Sequence, residues 1–343
     1  MQNLLKLNNL KRVLLLLVLL IPPRGIGGLM AQTEGGILFR LSKPGMSSPS
    51  YLMGSMHVVK GEFVHQIPGF DDIYASVKRL CIETDIDGSL QSLQDGSERA
   101  KQLMESLQKA QLEVNALTSQ LKLPIDSNYT MLLGPEKKKE IEDALISLLP
   151  AGTPANALDI NMLHPVLLIN TMDVLLQSKF VKEDLSDSNQ ILDYYLYHKA
   201  KADSKQLAFL EPVALQDSIM VMSQVNKARE LVQGASRPLL VQMEDVLAKC
   251  RKMPQTVEHY ANVTENYKKG LSDKVLEFIS DSSTPESMGL RYRNPAWMKQ
   301  LPTLLTEQPT LVVVGLAHMF PFRDIPGLLS DLRKEGFTIE KVY

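Results

Sequence analysis

"LVVVGLAHMF" fills residues 311–320, and "YLMGSMHVV" fills residues 51–59. Each is an apolar run of strand character that closes on Gly-x-x-His, the first at His318 and the second at His57. The two histidines stand 261 residues apart (318 − 57) in a chain that has only six. One such motif arises easily by chance, but a pair at the ends of two β-type runs needs an account. A sheet assembled from distant segments supplies it, with both turns delivering an imidazole to one place.

Working outward, "ILFRL" (37–41) precedes the first motif across the turn-rich "KPGMSSPS" (43–50), "LCIET" (80–84) follows it, and "FTIEKVY" (337–343) closes the chain. Between them the pattern turns helical. "ERAKQLMESLQKAQLEVNALTSQL" (98–121) carries apolar residues at three- and four-residue spacing, and "PEKKKEIEDALISLL" (135–149) opens on a helix-starting Pro. "QILDYYLYHKAKA" (190–202) is a further helix that leads into "QLAFLE" (206–211), a short strand. Helical segments resume over about 213–280. Strands near both ends with helices between them indicate α/β: a single domain with a central mixed β-sheet flanked by helices and a large helical insertion at about 98–202.

The totals narrow the function classes. The 343 residues are 44% hydrophobic and 22% charged with a net charge of −2, so there is no basic stripe suited to nucleic acid. Lys6, Lys11 and Arg12 precede the apolar Val13–Ile21, then Pro22-Pro23 and small residues up to Ala31. That is the layout of a secretory signal, and its apolar part is too short for the roughly twenty residues of a membrane span. The expectation is removal of residues 1–31, an exported periplasmic or extracellular domain over 32–343, and no stable membrane span after cleavage. Cys81 and Cys250 are the only cysteines, so an exported chain could form one bridge, while Cys81 in its apolar run reads equally as a small buried hydrophobe.

Four apolar runs end on a residue able to bind metal or move a proton: "YLMG" at His57, "LCI" at Glu83, "LAFL" at Glu211 and "LVVVG" at His318. Ligands of open α/β sheets gather beyond the carboxyl ends of the strands. Parallel neighbours would therefore bring two imidazoles and two carboxylates to one patch, a recurrent ligand set for divalent metals. Gly54 and Gly315, three residues before each His, would permit a sharp turn and a close approach.

At this point the sequence resembles the TraB/GumN family, which includes the animal Tiki proteases. The resemblance runs from about Gly36 to Val342 through "ILFRLSKPGMSSPSYLMGSMHVV", "LCIETDID", "ILDYYLYHKAKADSKQLAFLEPVALQD" and "RYRNPAWMKQLPTLLTEQPTLVVVGLAHMFPFRDIPGLLSDLRKEGFTIEKV". It implies a fold shared with erythromycin esterase and a haem-binding lipoprotein group, and, by analogy with Tiki, divalent-metal-dependent peptide hydrolysis. His57, His318 and Glu83 carry over directly, and Glu211 carries over with Gln216 in place. Pro212 stands where the family usually has Thr, and Phe209 where it often has Gly.

The resemblance thus implies an exported metal-dependent hydrolase, a peptidase acting on a peptide or protein substrate. His57, Glu211 and His318 would hold Mn²⁺, Co²⁺ or Zn²⁺. Glu83 would act as base, the reverse assignment of the two glutamates remaining open. Arg293 would stabilise the oxyanion or orient a glutamate, and Asn294 would hold the turn or the substrate backbone. A non-catalytic peptide- or haem-binding protein of the same fold is the alternative. His65, His164, His198 and His259 lack partners at ligand spacing. Trp297 reads first as packing on an amphipathic helix, and Asp193 matches the family's Asp before the second glutamate strand, where packing or helix contacts explain it as well as catalysis does.

Overall fold

The computed structural model describes residues 35–88, 97–124, 126–149, 159–180, 190–282, 285 and 288–343. The segment read as an export signal lies outside them. The chain forms two compact units. One is drawn from Met104–Val181 and Met220–Ala261, the other from Gly25–Leu103, Lys182–Ile219 and Asn262–Tyr343.

The second unit contains all six strands of the described residues: β1 (Leu38–Ser42), β2 (Ser50–Ser55), β3 (Arg79–Ile82), β4 (Gln206–Phe209), β5 (Thr310–Gly315) and β6 (Thr338–Lys341). They form one mixed sheet in the order β4-β3-β5-β2-β1-β6. β4, β3, β5 and β2 run parallel, while β1 is antiparallel to both β2 and β6. The protein is therefore α/β, with helices flanking a mixed sheet. Burial follows position. The interior strands β2 and β5 are buried along nearly their whole length and apolar at their centres, as strands covered on both faces are. The edge strands β4 and β6 contain no fully buried residue.

The other unit is helical. Pro135–Leu148, Pro165–Phe180 and Leu239–Arg251 pack on one another around Ile141, Leu145, Leu168, Met172, Met243 and Val246. Lys249 meets Asp173 at 2.7 Å in this packing, so a mostly buried carboxylate gains the partner that burial demands. The helical part of the chain is discontinuous and extends past residue 202. Among the described residues, no helix is long and apolar enough to cross a membrane. Cys81 and Cys250 are each buried and free.

Candidate functional site

Four helices complete the site in the sheet-bearing unit: α1 (Leu192–Ala202), the start of α2 (Val213–Gly234), α3 (Leu290–Met298) and α4 (Leu316–Met319). Because β4, β3, β5 and β2 are adjacent and parallel, their carboxyl ends share one edge of the sheet. The β3–β4 ladder extends one step beyond the strands, with the Glu211 N–H donating to the Glu83 carbonyl at 2.9 Å. The two acidic residues are thereby set side by side by the backbone.

Like charges so placed need a cation, and Arg293 of α3 supplies it. Its Nη2 donates to Glu83 Oε2 at 2.6 Å and to Glu211 Oε1 at 2.7 Å, and its Nε donates to Glu211 Oε2 at 3.0 Å. Gln216 of α2 donates from Nε2 to Glu211 Oε1 at 2.7 Å and to Glu83 Oε2 at 3.3 Å. The Gly315 amide donates to Glu83 Oε1 at 2.8 Å. Trp297 Nε1 donates to Glu211 Oε2 at 2.9 Å, and its ring lies 4.6 Å from the Arg293 Cζ. Burial would push the Glu83 carboxyl up, but Arg293, with help from the Gly315 amide, holds it well below the usual carboxylate range. Burial opposes the Arg293 charge in turn, and the Glu83 and Glu211 carboxylates outweigh it.

His318 is buried and neutral by construction. Asn294 Nδ2 donates to the carbonyls of His318 and Pro326, both at 3.2 Å, which fixes the amide orientation. Asn294 Oδ1 then faces His318 Nδ1 at 2.6 Å and can only accept, so Nδ1 carries the proton. The lone pair is left on Nε2, 3.1 Å from Arg293 Nη1. Burial first, and the adjacent guanidinium second, pull this imidazole down to about 3.

His57 stands apart from this network, with its side chain 45% exposed. Its Nε2 lies 3.3 Å from Asp193 Oδ2, an atom that is buried and makes no hydrogen bond. Burial raises the Asp193 carboxyl, and His57 opposes that rise.

The structure thus joins Glu83, Glu211, Arg293, Asn294 and His318 by direct hydrogen bonds and pairs His57 with Asp193. The two glycines differ from expectation, since neither has the left-handed backbone of a sharp turn. A Cβ on Gly54 would come within 2.5 Å of Leu316 Cδ1 and Met319 Sδ, so Gly54 is needed for α4 to pack over β2. A Cβ on Gly315 would meet only ordinary contacts at 3.5 Å, and what matters there is its N–H.

Two participants escape the sequence reading. Trp297 is fully buried yet bonds Glu211 and stacks 4.3 Å from the His318 ring centroid. Its spacing of four from Arg293 on a helix is the signal that could have found it. Asp193 lies in the first turn of α1, and only tertiary placement reveals its neighbour. His65 bonds Asp71 and Tyr195, each at 2.7 Å, away from the network. Beside Glu211, a recess of about 410 Å³ is lined by Asp85, Pro212 and Gln300 among others.

Donor chemistry tests whether the ion implied by the resemblance fits. Both Glu211 oxygens and the His318 lone pair are engaged by Arg293, Gln216 and Trp297. Among the described residues, no three His, Cys, Asp or Glu side chains are grouped to hold a metal ion. His57, Glu211 and His318 in this arrangement do not fit a resident ion.

No curated protein and no solved structure matches the chain. A family model, that of the TraB/PrgY/gumN family, matches residues 37–341, a span that holds every residue of the network and both Gly-x-x-His motifs. The chain belongs to the TraB/PrgY/gumN family.

Proposed function

We propose that this chain is an exported hydrolase that cleaves peptide bonds at the strand-end site, with His57 as the group that moves protons. The supporting observation is the pairing of a half-exposed imidazole with a buried carboxylate, His57 Nε2 to Asp193 Oδ2 at 3.3 Å. A base held by a third group is the recurring arrangement of hydrolytic sites, and such contacts tighten when substrate binds. A proton on Nε2, towards Asp193, leaves Nδ1 to take the proton of a water that attacks the carbonyl and to return it to the amine as the C–N bond breaks.

The remaining parts divide the work. Glu83, held firmly as a carboxylate by Arg293 and the Gly315 amide, is a poor base, so that role passes to His57. Arg293 keeps a fixed positive charge at the strand ends, and one of its Nη1 hydrogens is left over from the bonds described, a donor for the developing oxyanion. The peptide bond as substrate rests on the resemblance to Tiki, and export rests on residues 1–31.

A second reading keeps a divalent cation, Mn²⁺, Co²⁺ or Zn²⁺, and one observation favours it. Asp193 Oδ2 is buried without a hydrogen bond beside His57 Nε2, so the two could share an ion with water and substrate. Two protein donors are fewer than a resident zinc takes, which ranks this reading second. Cleavage of a fluorogenic peptide library by the wild type, with and without chelator, and by His57→Ala decides. Loss in His57→Ala alone supports the first reading, and loss in both supports the second. No cleavage under any condition overturns the hydrolase.

A further inference from the structure

We infer that Arg293 is itself the resident cation of the strand-end network, its guanidinium taking the place between Glu83, Glu211 and His318 that a metal ion would otherwise occupy. This goes beyond the hydrolase reading and does not depend on it, because it concerns which positive charge the donors are built around.

The argument begins with atoms. One side chain meets both glutamates and the imidazole: Nη2 reaches Glu83 at 2.6 Å and Glu211 at 2.7 Å, Nε reaches Glu211 at 3.0 Å, and Nη1 reaches His318 at 3.1 Å. These are hydrogen-bond lengths to the nitrogens of a broad planar fork. A metal draws its oxygen and nitrogen ligands to roughly 2.0–2.2 Å from a single centre. Donors spread around a fork are therefore too far apart, as they stand, to close on an ion.

The protonation pattern agrees. A metal-bound imidazole offers one nitrogen to the ion and the other N–H to an acceptor. His318 shows that same division, with Nδ1–H on Asn294 Oδ1, but the atom opposite its Nε2 lone pair is Arg293 Nη1. The ring is thus prepared for a cation and has one, covalently attached to α3. Charge completes the case. Two carboxylates, one guanidinium and a neutral imidazole leave the network at −1, whereas a divalent ion added beside Arg293 would make it +1 around a largely buried guanidinium. Arg293 is only 6% exposed, and the Trp297 ring covers it at 4.6 Å.

The test is an equilibrium measurement that needs no peptide. Full-length wild type, His318→Gln, Arg293→Met and the double variant Arg293→Met/His318→Gln are titrated with Co²⁺, read by visible absorption and calorimetry. The expected result is no His318-dependent uptake by the wild type, one equivalent bound by Arg293→Met, and loss of that equivalent in the double variant. Should Arg293→Met not fold, ¹⁵N NMR of the wild type decides, the His318 Nε2 resonance staying unmoved as Zn²⁺ is added. Stoichiometric uptake by the wild type that His318→Gln abolishes overturns the inference. So does a shifted Nε2 resonance, or a folded Arg293→Met that binds nothing.

Discussion

Around Arg293, two carboxylates, an imidazole, an amide and an indole are joined donor to acceptor, and the guanidinium itself is almost wholly buried. Around His57, on the same unit and also beyond a strand end, the ring is half open to solvent and its carboxylate partner keeps a buried oxygen without a hydrogen bond. A saturated network resists change, because every departure leaves a group unpaired. An unsaturated pair has capacity to spare for a proton, a water or a substrate atom. On the proposed function, the difference would give the fixed field of the site to Arg293 and the proton transfer to His57.

The sharpest way to break this contrast is to remove the cation. Arg293→Ala leaves two adjacent, largely buried carboxylates without a counter-charge and is expected to cost about 3–5 kcal/mol in denaturant unfolding. A loss below about 1 kcal/mol would mean that water already reaches the network. At the other end, Asp193→Asn should lower peptide cleavage by about 10²–10⁴-fold while the melting temperature changes little. Unchanged turnover would remove Asp193 from the mechanism.

pH separates the two regions further. His318 has its folded value depressed to about 3, against about 6.5 in the unfolded chain. Between those values the unfolded state binds more protons, so stability is full above about pH 6.5 and falls as pH drops towards 3. His318→Gln should flatten that slope in unfolding curves measured across the window, and an unaltered slope would place the acid sensitivity elsewhere. Trp297→Phe is the mildest probe. It keeps most of the packing but leaves Glu211 Oε2 short of a donor, for about 1–3 kcal/mol.

Much of the fold was legible because the strands carry their burial in composition. "LVVVG" and "YLMG" carry few polar atoms and form the interior β5 and β2, and the three- and four-residue spacing of "ERAKQLMESLQ" forms a helix over Glu98–Thr118. The strand order was not legible, since nothing in four short runs states which are neighbours. For the same reason Glu83 and Glu211 could be named from sequence but their shared arginine clamp could not. Trp297 was set aside because an indole on an amphipathic helix usually packs. Here it packs and also donates. Asp193 stays undecided in sequence because packing or helix contacts explain it as well as catalysis does, and its contact with His57 spans 136 residues (193 − 57).

The amide of Glu211 bonding the carbonyl of Glu83 has an engineering corollary. The spacing of the acid pair is inherited from sheet register, so lengthening the connections that follow either strand should leave it intact, whereas deleting one residue inside Gln206–Phe209 would turn Glu211 to the opposite face of the sheet. Loops here are open to redesign, and the frame beneath them is not.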